Sequence, residues 1–156
     1  MATDNRTRQW GLAWVALCIA LGLHVADEAI NDFLPLYHSV AGAIRESIPW
    51  ISLPTFTFSG WLTSLVFGVL LLLALSPMVF SGNRFMRPVS YFLGGLMTLN
   101  AVAHMGVSIY LGTLAPGTVS SPILLLSALA LLVTTYRLRL TRGSGELNIS
   151  DHGHQR

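Results

Sequence analysis

The chain has 156 residues, which fits one domain, and 53% of them are hydrophobic while only 10% are charged. Soluble domains carry about a quarter charged residues, so these values disfavour an ordinary water-soluble globule. The net charge of +2 is too small and too scattered for a nucleic-acid binder, and one cysteine cannot form an internal disulfide. The composition therefore indicates a small integral membrane protein.

Four apolar stretches are each long enough to cross a bilayer, which takes about 20 residues in a helix. Lipid offers no partner for a free backbone amide, so we predict that each stretch forms a helix. The predicted spans are residues 10–30, 58–80, 88–111 and 122–138. The predicted fold class is all-α, a four-helix transmembrane bundle in a membrane domain of residues 10–140.

The positions of the arginines predict the orientation, because the chain contains no lysine. Arginines precede the first span, fill the second connection and follow the fourth span, whereas the first connection carries only Arg45. By the positive-inside rule both termini are cytoplasmic. Residues 1–9 and a polar, disordered tail of residues 141–156 then lie in the cytoplasm. We expect a multi-pass protein of the cytoplasmic (inner) membrane.

The first connection, residues 31–57, is long and mixed in composition. Its middle, Val40–Ile48, is predicted to form a short helix on the outer surface. The segment Ala41-Gly42-Ala43 resembles the cleavage site of a signal peptide, which is the alternative interpretation of the first span. It lies about twenty residues beyond the apolar run, however, which is too far for that geometry.

Ionisable residues at the outer end of the first span are informative, because a charged Asp costs about 2.5 to 3.5 kcal/mol at the centre of a membrane helix. At about 100° per residue, His24, Glu28 and Asn31 lie on one helical face, and Asp27 lies at its edge. This spacing lets an imidazole and two carboxylates converge on one point.

The third span supplies a second polar pair, Asn100 and His104, four residues apart on one face. At 1.5 Å per residue, His24 and His104 lie about 21 and 24 Å from the cytoplasmic side, so their depths in the outer half match. Mixed nitrogen and oxygen ligands favour a divalent metal, Zn, Fe or Mn rather than Cu(I). The predicted metal ligands are His24, Asp27, Glu28 and His104.

Glu28 and His104 are also the predicted catalytic residues. Glu28 would act as a general base toward a water that the metal activates. Asn100 and Asn31 are predicted to position the ligands or to bind substrate. The alternative is structural: the acidic residues lie at the wet interface, and Asn100 with His104 bonds across helices as glue.

These residues resemble the HXXEE domain proteins of bacteria, whose name describes a histidine followed by two acids in the first span. His24, Asp27 and Glu28 match that pattern, and Leu99–Gly106 resembles the family's later segment with an asparagine and a histidine. The resemblance covers about residues 15–135 and supports the assignment of the site. It implies no reaction, because the family has no established activity.

Two departures from the family pattern affect this expectation. Asp27 replaces the first glutamate, which keeps the charge and shortens the reach by one methylene. Leu114 replaces the tyrosine of a Tyr-X-Pro-Gly motif that opens the last span, which removes a hydroxyl. This weakens a chemical role for the Pro116-Gly117 turn, which a tight reversal before the fourth span explains by itself.

Three functions follow as hypotheses. The leading one is a metal-dependent membrane enzyme, a hydrolase acting on a lipid or small amphiphile that arrives from the outer leaflet. The second is a proton-coupled transporter or channel subunit in which His24, Glu28 and His104 form a relay. Four spans are few for a transporter, so this interpretation requires a homodimer. The third is a non-catalytic membrane scaffold.

Overall fold

The chain folds into helices joined by short turns and by two longer connections, residues 48–57 and 112–120. The computed structural model describes the backbone of residues 2–152 and the side chains of residues 4–138. Its helices are α1 (Ala2–Ile30), α2 (Phe33–Ser47), α3 (Phe58–Ala74), α4 (Ser76–Phe80), α5 (Met86–Leu111) and α6 (Ser121–His152). The predicted all-α class is confirmed.

Four helical segments are long and apolar enough to cross a membrane. They are Asp4–Ile30, Phe58–Phe80, Met86–Leu111 and Ser121–Leu138, so α3 and α4 together form the second span. The predicted four-helix transmembrane bundle is thereby confirmed, whereas the cytoplasmic placement of the termini stays a prediction. The tail of residues 141–156 lies beyond the described side chains, and its predicted disorder also stays a prediction.

The helix in the first connection differs from the expected Val40–Ile48. It begins at Phe33 and ends at Ser47. Pro35 does not prevent this early start, because it lies in the first turn, where its missing N–H has no helical acceptor. Asp32 precedes the helix in the left-handed region with φ of 55°, which reverses the chain between α1 and α2. This reversal places α2 beside the end of α1 that carries the ionisable residues.

The bundle is organised around α1 and α6. Helix α6 packs against α1 and α5, whereas α3 and α4 pack against α1. Trp10, Trp14, Leu17, Leu124 and Leu131 are completely buried in the core between them. Only 6% of the Phe58–Phe80 span is buried, so α3 lies at the edge of the bundle. This arrangement leaves space between α1, α3 and α5 at the level of the polar residues.

Candidate metal centre

Two histidines and one glutamate converge between α1 and α5, as the sequence predicts. His104 Nε2 lies 3.0 Å from Glu28 Oε1, and His24 Nε2 lies 3.6 Å from the same oxygen. One ligand atom from each residue lies within 4.8 Å of the others. His24, Glu28 and His104 are only 1%, 6% and 8% exposed. The predicted meeting of the two imidazoles with a carboxylate is therefore confirmed.

The outer nitrogen of His104 is fixed by the chain that enters α6. His104 Nδ1 lies 2.7 Å from the carbonyl oxygen of Pro116. A carbonyl only accepts hydrogen bonds, so Nδ1 carries the hydrogen and donates it. In the neutral imidazole Nε2 is then an acceptor, and it faces Glu28 Oε1, which is an acceptor as well. The 3.0 Å contact between these atoms requires a cation, either a proton or a metal ion.

The ring of His24 is held through its Nδ1 as well, in this case by a serine and a carboxylate. Its Nδ1 lies 2.8 Å from Ser120 Oγ, and Ser120 Oγ lies 2.7 Å from Asp27 Oδ2. The single hydroxyl hydrogen is best donated to the carboxylate, so Ser120 Oγ accepts the hydrogen of His24 Nδ1. His24 Nε2 is then the acceptor, and it receives the amide of Asn100 at 3.0 Å. Both imidazoles therefore turn their Nε2 atoms toward Glu28.

The turn before α6 is shaped around the two rings. Gly117 has φ of +81°, and a Cβ placed there would lie 2.8 Å from His104 Nδ1 and 2.9 Å from His24 Cε1. Ser108 on α5 holds this turn, because its Oγ accepts the backbone N–H of Ala115 at 2.8 Å. From the sequence, the Pro116-Gly117 turn is expected only to reverse the chain. The structure shows that this turn also lies against both imidazoles.

The structure does not bring Asp27 into the central group. Its Oδ2 accepts the backbone N–H of Ser120 at 2.9 Å, and its Oδ1 accepts the amide of Asn31 at 2.7 Å. Asp27 precedes Glu28 by one residue, which rotates it about 100° around α1 toward the start of α6. Asn31 is exposed and acts on Asp27 rather than on the central atoms. Asp27 thus orients His24 through Ser120, and Asn31 supports Asp27.

Several residues of the site are absent from the sequence prediction. Two of them are Ser120 and the carbonyl of Pro116. The Pro-Gly motif, which carries part of the family resemblance, could have indicated Pro116. Phe33 on α2 is another: its ring centroid lies 5.5 Å from that of His104 and 5.9 Å from that of Trp61. These aromatic rings form an apolar wall beside the polar atoms.

Comparison with models of known protein families, with curated proteins and with solved structures finds no match to this chain. The class of protein therefore follows from the fold and the site. Four helices are long and apolar enough to cross a membrane, and they enclose a His/Glu/His group. The chain is thus a small helical membrane protein with a buried candidate metal centre.

Proposed function

We propose that the protein is a metal-dependent membrane enzyme in which His24, Glu28 and His104 hold one divalent cation. The observation that carries this proposal is the facing pair of acceptors, His104 Nε2 and Glu28 Oε1, at 3.0 Å. A buried pair of this kind loses free energy unless a cation lies between the two atoms. A divalent metal satisfies both atoms and His24 Nε2 together.

The donor set suits a catalytic metal. Two histidines and one glutamate form the ligand set of catalytic zinc sites, in which the fourth position stays open to water or substrate. The mixed nitrogen and oxygen ligands also suit Fe and Mn. Metal-binding histidines commonly donate their outer N–H to a carbonyl or to a carboxylate, as His104 does to Pro116. With a metal on His24 Nε2, the amide of Asn100, which now lies 3.0 Å from that nitrogen, would be released from it.

Hydrolysis is the simplest reaction for these groups, because it requires no co-reactant other than water. A divalent cation held by His24, Glu28 and His104 would supply an activated water and polarise a carbonyl group. Glu28 faces the imidazoles through Oε1, which leaves Oε2 to accept a proton. The amide of Asn100, released from His24, donates to a substrate oxygen. His104 is held in place by the Pro116 carbonyl, which keeps its Nε2 directed at the centre.

A lipid or small amphiphile is the proposed substrate. The site lies inside a bundle that is apolar on its outer surface. A groove of about 330 Å³ between α1, α3 and α5, which we call groove A, reaches His24 and Glu28. The remaining lining of this groove is largely apolar and aromatic, as binding an acyl chain requires. The resemblance to the HXXEE domain proteins belongs to the same proposal.

Metal analysis tests the proposal. Purified protein, equilibrated with Zn, Mn or Fe and freed of excess metal, is expected to retain about one equivalent by elemental mass spectrometry. His24→Ala and His104→Ala are each expected to lose it. His38→Ala is the matched control, because His38 is an exposed histidine on α2 that lies outside the central group. Retention of equal metal by His104→Ala and His38→Ala would overturn the proposal.

A proton relay is the second candidate, and one observation favours it. The half-exposed Asp27 is connected to the buried His24 by Ser120 through contacts of 2.7 and 2.8 Å, and His24 lies beside Glu28. A proton instead of a metal then satisfies the pair of Glu28 and His104. This function requires a homodimer and predicts proton flux in liposomes by metal-free protein. Proton flux that metal-free protein shows and that Ser120→Ala lacks would favour the relay over the metal-dependent enzyme.

A further inference from the structure

Two apolar grooves meet at the candidate metal centre. Groove A, of about 330 Å³, lies between α1, α3 and α5 and borders His24 and Glu28. Groove B, of about 230 Å³, lies between α2 and α5 and borders His104. The grooves share Phe33, Tyr37 and Asn100. The polar centre is therefore reached from two sides by spaces whose lining is largely apolar.

The two grooves extend in opposite directions along α5. Groove A borders Leu96 and Met97, which precede Asn100, whereas groove B borders Ala103 and Val107, which follow it. From Asn100 to Val107 a helix rises about 10 Å. On α1, groove A extends from Glu28 back to Leu21, which is also about 10 Å. The candidate metal centre lies where the two grooves meet. A linear molecule that occupies both grooves therefore has its middle at the centre and its two ends away from it.

The charge of the lining restricts what this molecule carries. Within the described side chains, Glu28 is the sole acidic or basic residue, histidines aside, that borders either groove. A phosphate group placed in either groove away from the centre would be buried among apolar side chains without an arginine partner, which is strongly unfavourable. The occupant of the grooves is therefore neutral on both sides of the reacting group.

We propose that the substrate is a neutral ester that joins two apolar chains, with one chain in each groove and the ester carbonyl at the centre. This inference rests on the proposed hydrolase function and names its substrate class. Water adds to the ester carbonyl carbon, and the bond from this carbon to the alkoxy oxygen breaks. One hydrogen of the water ends on the alkoxy oxygen. The products are a carboxylic acid and an apolar alcohol, and no oxidant or reductant takes part.

Binding is measured by quenching of Trp61, which borders groove A. The other three tryptophans, Trp10, Trp14 and Trp50, border neither groove within the described part of the chain. A brominated didodecyl ether, which resembles the ester and resists hydrolysis, is added to the full-length protein in detergent. We expect it to quench fluorescence that is missing in Trp61→Phe. A brominated single-chain dodecyl methyl ether is expected to quench at least tenfold less efficiently at equal concentration.

Groove B is tested by filling it from α5. Ala103→Phe places a ring in groove B, whereas Val102→Phe is the matched control, because Val102 borders neither groove and is 49% exposed. Hydrolysis of dodecyl laurate is compared with that of ethyl laurate and of dilauroylphosphatidylcholine. The wild type and Val102→Phe are expected to prefer dodecyl laurate at least tenfold in kcat/KM over both. Ala103→Phe is expected to lose most of the preference over ethyl laurate.

The outcomes separate this inference from the proposed function. Protein that binds metal at His24 and His104 and yet treats dodecyl laurate and ethyl laurate alike overturns the two-chain substrate and leaves the metal site standing. Equal quenching of Trp61 by the one-chain and two-chain ethers overturns it as well, whether or not metal is bound. Absence of metal together with selective quenching by the two-chain ether supports the neutral two-chain ligand and overturns the hydrolytic centre.

Discussion

Two regions of the bundle bury polar side chains in different ways. In the tightly packed core, Trp10 Nε1 donates to Ser90 Oγ at 3.1 Å, and Ser90 Oγ donates to the carbonyl of Met86 at 2.8 Å. Each donor of this pair meets an acceptor, so the pair is complete by itself. At the candidate metal centre, His104 Nε2 and Glu28 Oε1 are two acceptors facing each other. The core pair is therefore satisfied by its own atoms, whereas the pair at the centre needs a proton or a metal ion between its two acceptors.

The largest expected effect comes from replacing the central carboxylate. Glu28→Gln is expected to abolish metal binding, because an amide is a poor ligand, while its NH₂ group donates to His104 Nε2. The metal-free variant is expected to be less stable than metal-free wild type by about 1 kcal/mol, because a neutral hydrogen bond replaces the proton-bridged contact of Glu28 with His104. Metal analysis and thermal unfolding in detergent measure the two effects. Glu46→Gln, at an exposed glutamate of α2, is the control and should change neither. A Glu28→Gln protein that keeps its metal would contradict the assignment.

Removal of the hydroxyl between His24 and Asp27 is expected to have the next largest effect. Ser120→Ala leaves His24 Nδ1 without its acceptor, and loss of such an outer partner weakens metal binding about 10- to 100-fold. Competition with a chelating dye measures the affinity. Ser120→Thr keeps the hydroxyl and should restore most of it. Ser121→Ala removes a neighbouring hydroxyl that bonds only to the carbonyl of Gly117, so unchanged affinity is expected there.

Alanine substitutions at two glycines separate the effect of backbone strain from the effect of contact with the histidines. Gly112 and Gly117 have φ of +66° and +81°, so an alanine at either position costs about 1 to 2 kcal/mol of stability. A Cβ at Gly112 meets no described atom within 4 Å, whereas one at Gly117 meets both imidazoles. Both variants should therefore lose similar stability from the backbone, and only Gly117→Ala should also weaken metal binding. Equal metal affinity in the two variants would show that the turn does not position the histidines.

The smallest effect is expected in the core. Ser90→Ala removes the acceptor of Trp10 Nε1 and is expected to lower the free energy of unfolding by about 1 kcal/mol. Metal affinity should remain that of the wild type, because Ser90 bonds to Trp10 and Met86 rather than to the site. Both values are available from the unfolding and dye-competition measurements. A weaker metal affinity in Ser90→Ala would mean that the two regions are coupled through α5.

Helical geometry accounts for the part of the site that the sequence predicts. His24 and Glu28 are four residues apart on one helix, so a single face carries both, whatever the helix packs against. Spans of similar length place His104 at the same depth, and its contact with Glu28 follows. The four spans are predictable for the related reason that lipid leaves no other state for a long apolar run.

The remaining parts of the site depend on how the helices pack. Asp27 and Glu28 are adjacent acids, and the sequence does not tell which one faces the imidazoles and which one faces the start of α6. Ser120 reaches His24 across 96 residues of sequence, because α6 packs against α1. Phe33 covers His104 because α2 begins early and folds back after Asp32. None of these contacts has a periodic signal in the chain.

X-ray absorption at the metal edge of zinc-loaded protein identifies the ligands of the proposed centre. Two imidazole nitrogens are expected at about 2.0 to 2.1 Å from the metal in the wild type. One imidazole is expected in His104→Ala refolded with excess zinc, and two in His38→Ala. A wild-type spectrum without imidazole scattering, or one that His104→Ala leaves unchanged, would contradict the claim that the two membrane helices share a metal.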